Sequence, residues 1–165
     1  MVAAVVLAAG ASSRYGTDPP KQAVFLPEVL RRVRAAPSIG HVVVVTGAHE
    51  LDVDAGTVRC ADWERGPGAS LRCGLAALPA EAEAAVVVLA DGPALAADAV
   101  DRVVEAWRER GAAVVAASYG GERGHPVLLA REAWAAVPDE GARALEPLLV
   151  PCDDLGSPGD VDRPR

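Results

Sequence analysis

Four continuous apolar runs, separated by stretches of helical period, most constrain the fold of this 165-residue chain. The runs cover residues 2–7, 41–46, 84–90 and 112–117, and they lack alternation of apolar and polar residues. Such runs predict strands that are buried on both faces. Helical spacing of apolar residues covers 27–36, 70–78 and 98–110. Strands alternating with helices predict an α/β fold with a mostly parallel central sheet, helices on both faces and right-handed crossovers.

Local signals refine this outline. Asp98 is the expected N-cap of the third helix, and Gly111 is its expected stop. Residues 127–129 are a candidate further strand, and residues 131–137 a candidate short helix. The segment from Pro151 onward is rich in Gly and Pro, and we expect it to be irregular and to pack over the domain.

The composition is that of a globular protein, with 51% hydrophobic and 24% charged residues. This length fits one domain over residues 1–165. The net charge of −7 argues against binding to nucleic acid or to an anionic membrane. No apolar run is long enough to span a bilayer. The N-terminal apolar run lacks a positively charged start, which favours a first strand over a signal peptide.

The three cysteines are Cys60, Cys73 and Cys152, and they form no Cys-x-x-Cys pair. Their scatter argues against a structural zinc site and against a disulfide framework. We therefore expect reduced thiols and a cytoplasmic protein.

Three segments follow the carboxyl ends of predicted strands, where α/β sheets bind their ligands. They are residues 10–21, 47–49 and 91–93. In the first, small residues lead into hydroxyls and then into two cations, Arg14 and Lys21. Small residues let the backbone approach a ligand closely, and exposed backbone N–H groups bind anions. This pattern predicts a nucleoside triphosphate at the sheet edge, although a tight turn with incidental charges would also explain it. It is neither a P-loop nor a Gly-x-Gly-x-x-Gly dinucleotide loop.

The end of the first predicted strand and the segment after it resemble the signature of the MobA-like NTP transferases, the nucleotidyltransferases of molybdenum cofactor assembly. The residues that fall on this signature are Leu7, Ala8, Ala9, Gly10, Ser12, Arg14, Gly16 and Lys21. The resemblance implies a Rossmann-like nucleotidyltransferase fold and transfer of a nucleoside monophosphate to a phosphate of a molybdopterin-type acceptor. It implies catalytic roles for Arg14, Lys21 and Asp91. The nucleotide-binding residues that it implies are Leu7, Ala8, Ala9, Gly10, Ser12, Ser13, Gly66 and Ser70. Ala at position 9 is similar to the cytidylyltransferase branch, which favours CTP.

Further blocks in the same order extend the resemblance over nearly the whole chain. Asp91 resembles the family aspartate that holds Mg²⁺, and the Asp160–Asp162 pair resembles its acidic tail, so the resemblance implies a magnesium ion on Asp91 and Asp162. Paired hard oxygens on one side of an extended segment also suit magnesium chemically. Two alternatives to a magnesium site are that Asp91 is an ordinary turn carboxylate and that the Asp160–Asp162 pair belongs to a solvent-exposed acidic tail.

Two blocks concern the substrates. Residues 61–75 resemble the block that lies against the nucleotide base, although Ser70 could simply cap a helix. The Gly-His-Pro-Val block at 124–127 and the Gly-Ala-Arg block at 141–143 imply that His125 and Arg143 line the acceptor site. Arg143 could instead pair with Glu140 on the surface.

Several positions depart from the family. Lys21 lies about two residues further from Gly16 than usual, Gly92 replaces a glutamine, and Cys60 replaces an asparagine. The usual Gly-containing turn after Leu26 is missing. These departures keep two alternatives open: a sugar- or alditol-phosphate nucleotidyltransferase, and a degenerate nucleotide-binding protein without catalysis. A flavodoxin-like module fits less well, because its phosphate loop would lack Arg14 and Lys21.

Overall fold

The computed structural model describes residues 1–10 and 20–159. The strands and helices are β1 (Val2–Ala8), α1 (Lys21–Arg34), β2 (Ile39–Thr46), β3 (Gly56–Arg59), α2 (Pro67–Ala76), β4 (Ala84–Leu89), α3 (Ala97–Arg110), β5 (Val114–Tyr119), β6 (Glu122–Ala130) and β7 (Leu148–Pro151). Short 3-10 helices cover Trp63–Arg65, Arg131–Ala136, Ala142–Ala144 and Asp153–Leu155. None of the helices described is long and apolar enough to cross a membrane.

One seven-stranded sheet organises the structure, in the order β3-β2-β1-β4-β6-β5-β7. Strands β1, β2, β3 and β4 are mutually parallel, and β5 is parallel to β7. Strand β6 runs antiparallel to both of its neighbours, β4 and β5. The predicted α/β fold with a mostly parallel sheet is therefore confirmed.

The central strands are buried on both faces, as their unbroken apolar sequence predicts. On one face, side chains such as Ala4 and Val6 pack with helices α1 and α3. On the other face, Ala3 and Val5 pack with α2. Helix α2 comes especially close, because a Cβ on Gly74 would lie 2.6 Å from Val5 Cγ1. The sheet thus carries helices on both faces and presents its parallel strand ends at one edge.

Helix α1 differs from its prediction, because it begins at Lys21 rather than at residue 27 and ends at Arg34. Pro27 lies inside it. A proline in a helix removes one backbone hydrogen bond. The buried residues Leu26, Val29, Leu30 and Val33 hold the helix on the sheet in spite of this loss. The continuous helix occupies the place where the family has its Gly-containing turn.

The predicted N-cap of α3 is wrong, and the alternative in which Ser70 caps a helix does not hold either. The N-cap of α3 is Ala96, with Asp98 in the first turn, and no side chain caps the helix. Ser70 does not cap α2, since that helix begins at Pro67 and its N-cap is Gly66. Gly111 does end α3, with φ of 68° in the left-handed region where glycine is favoured.

The prediction of reduced thiols is wrong for two of the three cysteines, because Cys60 and Cys73 form a disulfide. Their Cα atoms lie 5.8 Å apart, within the ordinary range for such a bridge. The fold brings them together: Cys60 follows β3, and Cys73 lies on α2, which packs beside it. Cys152 is a free, buried thiol. The expected cytoplasmic location rested on reduced thiols, and Cys60 and Cys73 no longer support it.

Candidate active site

The carboxyl ends of β2, β1 and β4 lie side by side, as the sequence predicts. Beyond the strands, the Ala48 N–H donates to the Ala9 carbonyl at 3.1 Å, and the Ala90 N–H donates to the Leu7 carbonyl at 3.0 Å. These bonds continue the sheet pairing into the loops. The segments after β2 and β4 therefore meet the end of β1 and its first following residues at one edge.

A cavity of about 400 Å³ opens at this edge, and we call it the first-strand cavity. It is lined by Leu7, Ala9, Gly10, Lys21, Gln22, Trp63, Glu64, Gly66, Pro67, Ser70, Leu89, Ala90 and Asp91. Most of the described residues that the sequence assigns to a nucleotide or to catalysis line it. Ala8 is the exception, because it is buried among the residues that pack against α1 and α3. Ser12, Ser13, Arg14 and Asp162 lie outside the described residues.

An ion pair lies in the first-strand cavity. Lys21 Nζ is 2.7 Å from Asp91 Oδ2, and the exposed fractions of the two side chains are 15% and 14%. Lys21 is the first residue of α1, and Asp91 follows β4 closely, so two elements that are distant in sequence deliver the pair. A half-buried pair is screened by solvent less than a surface pair is. The pair therefore fixes a cation beside an anion in this cavity, in a chain whose net charge is −7.

Gln22, which the sequence analysis did not assign to the site, lies next to this pair. Its Nε2 donates to the Gly10 carbonyl at 3.0 Å. A signal for it existed in the sequence, because Gln22 falls on the helical face of Leu26, Val29 and Val33. A polar residue on an apolar helical face is an unusual placement that calls for a bonding partner.

Trp63 closes the first-strand cavity from the side of β2. A Cβ on Gly47, just beyond β2, would lie 2.7 Å from Trp63 Cβ and 2.8 Å from the Ala9 carbonyl oxygen. Glycine at position 47 is thus what allows the tryptophan to pack over the strand ends. Trp63 and Glu64, like Ser70, lie on the segment that the Cys60–Cys73 disulfide closes.

A second cavity, of about 320 Å³, lies beside the first, and we call it the His125 cavity. The two share Leu7, Pro67 and Leu89 as walls. His125 and Arg143, the two residues predicted for the acceptor site, both line it. Arg143 is exposed, whereas burial lowers the pKa of His125 to about 4 against an opposing effect of Asp91. His125 is therefore neutral at pH 7.

Arg123 fixes the segment that carries Arg143, a role that the sequence analysis missed. Its guanidinium donates to the carbonyls of Ala142 at 3.2 Å and of Leu145 at 2.8 Å. The Tyr119 hydroxyl donates to the His125 carbonyl at 2.7 Å. Backbone carbonyl groups receive these bonds, so the wall is held largely independently of its side chains.

The wall of the His125 cavity also docks on the first turn of α2. The Gly68 N–H donates to the Asp139 carbonyl at 2.9 Å. A Cβ on Gly68 would lie 1.6 Å from the Pro138 carbonyl oxygen, which leaves room for glycine alone. Arg72 adds bonds to the Val137 carbonyl at 2.9 Å and to Asp139 Oδ1 at 2.5 Å.

The last described residues form a third wall near Asp91. Ser157, Pro158 and Gly159 line a cavity of about 270 Å³ together with Gly92 and His125. A Cβ on Gly92 would lie 3.2 Å from the Gly159 carbonyl oxygen. The absence of a side chain at position 92, one of the departures from the family, gives the tail its path. The predicted packing of the tail over the domain agrees with this contact.

The profile of the MobA-like NTP transferase domain matches residues 4–150. The chain belongs to this family. The blocks from the β1 end to the Gly-Ala-Arg block lie within the matched part of this MobA-like domain, whereas the Asp160–Asp162 pair lies beyond it.

Individual relatives agree with this assignment. The domain is similar to the bifunctional protein GlmU of Mycolicibacterium gilvum, with 33% identity over 120 residues, 62% of this chain and 24% of that protein. It thus spans about a quarter of the length of that relative. Among solved structures it is similar to an Rv0371c homologue from Mycobacterium sp. strain JC1, with a TM-score of 0.79 and 26% identity over 98% of this chain and 90% of the other.

Two more distant structures were solved with ligands. The Rv0371c protein of Mycobacterium tuberculosis H37Rv, in complex with manganese, has a TM-score of 0.67 and 22% identity over 91% of this chain and 87% of that one. A CMP:2-keto-3-deoxy-manno-octonic acid synthetase complexed with CTP has a TM-score of 0.72 and 13% identity, covering 98% of this chain and 93% of the other. At these identities the likeness establishes the nucleotidyltransferase-like fold.

Proposed function

We propose that this MobA-like domain is a magnesium-dependent nucleotidyltransferase. It transfers CMP from CTP to a phosphate of a molybdopterin-type acceptor and releases pyrophosphate. The observation that carries this proposal is the Lys21–Asp91 pair, 2.7 Å apart in a cavity that also exposes the backbone at the end of β1. A phosphate-binding backbone, a cation and a metal-binding carboxylate are the parts that phosphoryl chemistry requires.

Residues at the first-strand cavity bind the triphosphate in this proposal. The backbone at Leu7, Ala9 and Gly10 encloses the nucleotide together with Gly66, the N-cap of α2, and Ser70 on that helix. Lys21 neutralises phosphate charge. Arg14, Ser12 and Ser13, outside the described residues, complete the set that the family resemblance implies. Because the reaction is an in-line displacement by an acceptor phosphate that is already anionic, the main tasks of the protein are positioning and charge neutralisation.

Asp91 is suited to hold a divalent cation. The Lys21 ammonium already lies against its carboxylate, so the position accepts a positive charge. Mg²⁺ is typically bound through one or two carboxylates together with substrate phosphates. Among the described residues, no group of three or more His, Cys, Asp or Glu could hold a metal by itself. Asp91 and, from outside those residues, Asp162 are the proposed ligands, and the ion would neutralise charge on the phosphates when bound.

The His125 cavity is the proposed acceptor site. It adjoins the first-strand cavity through three shared wall residues, so an acceptor bound there would face the triphosphate. The exposed guanidinium of Arg143 is available to an anionic group. The neutral ring of His125 can offer one donor and one acceptor at pH 7, but it is no fixed charge.

Titration calorimetry with CTP, GTP and ATP, with and without Mg²⁺, tests the nucleotide half of the proposal. We expect Mg²⁺-dependent binding of CTP that Asp91→Asn abolishes. Asp98→Asn, a matched change on the exposed first turn of α3, serves as the control and should bind like the wild type. Binding that ignores Mg²⁺, or that prefers GTP, would contradict the metal or the base assignment respectively.

A pyrophosphate-release assay tests the acceptor half. We expect release with CTP and molybdopterin. Release only with sugar or alditol phosphates would instead assign the domain to the nucleotidyltransferases that act on those acceptors. Triphosphate binding without release in the presence of any acceptor would mark it as a non-catalytic binding protein.

A further inference from the structure

Gln22 lines the first-strand cavity, and the proposed function assigns it no role. It is the second residue of α1, and its exposed fraction is 4%. Nε2 donates to the Gly10 carbonyl, while Oε1 is buried and has no hydrogen-bond partner among the residues that the structure describes. Its neighbour in the chain is Lys21, which forms the ion pair with Asp91.

Stability of the fold does not account for this side chain. Burying a carboxamide costs free energy unless both of its ends are bonded, and here the oxygen is not. An apolar side chain of the same length would fill the space between α1 and β1 without that cost. A buried polar group that is only half satisfied calls for a functional explanation.

The bond to Gly10 has a direct geometric effect. A peptide group is planar, so a donor that holds the Gly10 carbonyl fixes the orientation of the whole group. Gly10 lines the first-strand cavity directly beyond β1, where the proposed triphosphate site relies on the backbone. The first turn of α1 thereby supplies the positive charge of Lys21 and, from Gln22, a hydrogen bond that orients the backbone at Gly10.

We infer that Gln22 is a positioning residue of the triphosphate site, whose carboxamide fixes the peptide group at Gly10 and whose Oε1 is an acceptor paired only in the nucleotide-bound state. This inference rests on the proposed function, since it concerns the same cavity. It gives the buried Oε1 a bonding partner, which the residues that the structure describes do not supply.

Gln22→Met tests the inference, because methionine matches the length of glutamine and forms neither bond. We expect the affinity for Mg²⁺–CTP to fall about tenfold, as for the loss of one or two hydrogen bonds, while the melting temperature stays equal or rises. Gln22→Glu keeps acceptor oxygens but loses the donor to Gly10 and adds a negative charge beside the phosphates. Its affinity should fall at least as far.

Ser38→Ala, beyond the end of α1, is the matched control. It removes the hydrogen bond that the Ser38 hydroxyl donates to Asp101, keeps the one from the Ser38 N–H, and lies away from the cavity. The melting temperature should fall in this variant, with the affinity unchanged.

Calorimetry and thermal melts on the wild type and the three variants distinguish a role of Gln22 in nucleotide binding from a purely structural role. Wild-type affinity in Gln22→Met, or an affinity loss accompanied by a proportionate loss of stability, would overturn the inference alone. A wild-type protein that binds no triphosphate would overturn the proposed function and this inference with it.

Discussion

Lys21 Nζ and Asp91 Oδ2 lie 2.7 Å apart, although 70 residues separate them in sequence. Both side chains are half-buried at the sheet edge, so the two charges face each other in a site that solvent only partly screens. Under the proposed function, a metal ion on Asp91 would take the place beside the carboxylate that the Lys21 ammonium holds here. Binding of a metal–triphosphate complex would then move Lys21 from the carboxylate toward the phosphates.

Removing the cation should weaken triphosphate binding strongly. For Lys21→Met we expect the affinity for Mg²⁺–CTP to fall on the order of tenfold to a hundredfold, since hydrogen bonds to charged groups contribute about 1.5–3 kcal/mol. Lys21→Arg, which keeps the charge with a different shape, should lose less. Calorimetric dissociation constants measure both, and equal affinities for Lys21→Met and the wild type would refute the assigned role.

The tight contact at Gly68 predicts a large stability effect. Gly68→Ala would put a Cβ 1.6 Å from the Pro138 carbonyl oxygen, so the backbone must move. We expect a loss of at least about 3 kcal/mol in the free energy of unfolding, the upper range for overpacking. Gly56→Ala is the control, because its nearest contact is 3.8 Å away, and it should change stability little. Urea denaturation curves give both values.

The disulfide predicts a thiol count. Denatured, unreduced protein should react with one equivalent of a thiol reagent, at Cys152, and reduced protein with three. The bridge closes a loop with a sequence separation of 13 residues, so Cys73→Ala should lower the free energy of unfolding by about 3 kcal/mol. Three reactive thiols without reductant would show that the bridge is absent.

His125 predicts a pH dependence of stability. Burial lowers its pKa from 6.5 to about 4, so below pH 6.5 the unfolded chain binds a proton that the folded protein does not. The free energy of unfolding should therefore fall as the pH drops from 6.5 to 4, by about 1–3 kcal/mol from this group. His125→Asn should show a flatter profile over the same interval in urea titrations at successive pH values. Parallel profiles would contradict the assignment.

Gly92 predicts a link between the loop after β4 and the tail. Gly92→Gln restores the residue type usual in the family, but its Cβ would approach the Gly159 carbonyl oxygen to 3.2 Å and Pro158 Cβ to 3.4 Å. We expect the tail to be displaced and to be cleaved faster by a nonspecific protease, followed by mass spectrometry. Gly56→Gln, whose added Cβ would have the Val42 carbonyl oxygen as its nearest neighbour at 3.8 Å, is the control for a larger side chain. Equal cleavage rates would argue against the contact.

Much of the architecture could be predicted because the central strands are apolar throughout. Neighbouring residues such as Val5 and Val6 point to opposite faces of the sheet and are both buried, and that requirement is visible in the sequence. Strands β3 and β7 could not be predicted, since each has four residues, mostly exposed or half-buried. Short segments of that kind depend on pairing with distant strands rather than on their own pattern.

The site was predictable where chain position decides it and unpredictable where packing decides it. Asp91 and Gly10 follow strands, so the sheet topology alone delivers them to one edge. Gln22 required knowledge that α1 begins six residues before its clear apolar period. The Cys60–Cys73 bridge required the packing of α2 beside β3, and no spacing rule contains that information.

The contact between Gly68 and residues 138–139 joins the walls of the two cavities through main-chain atoms. Because its central hydrogen bond runs from the Gly68 N–H to the Asp139 carbonyl, it constrains the path of that wall and leaves its side chains comparatively unconstrained. Side chains farther along, such as Glu140 and Arg143, can therefore be exchanged without moving the backbone that carries them. Substitutions at such positions should therefore change which groups the His125 cavity can bind, while its distance from the first-strand cavity stays the same.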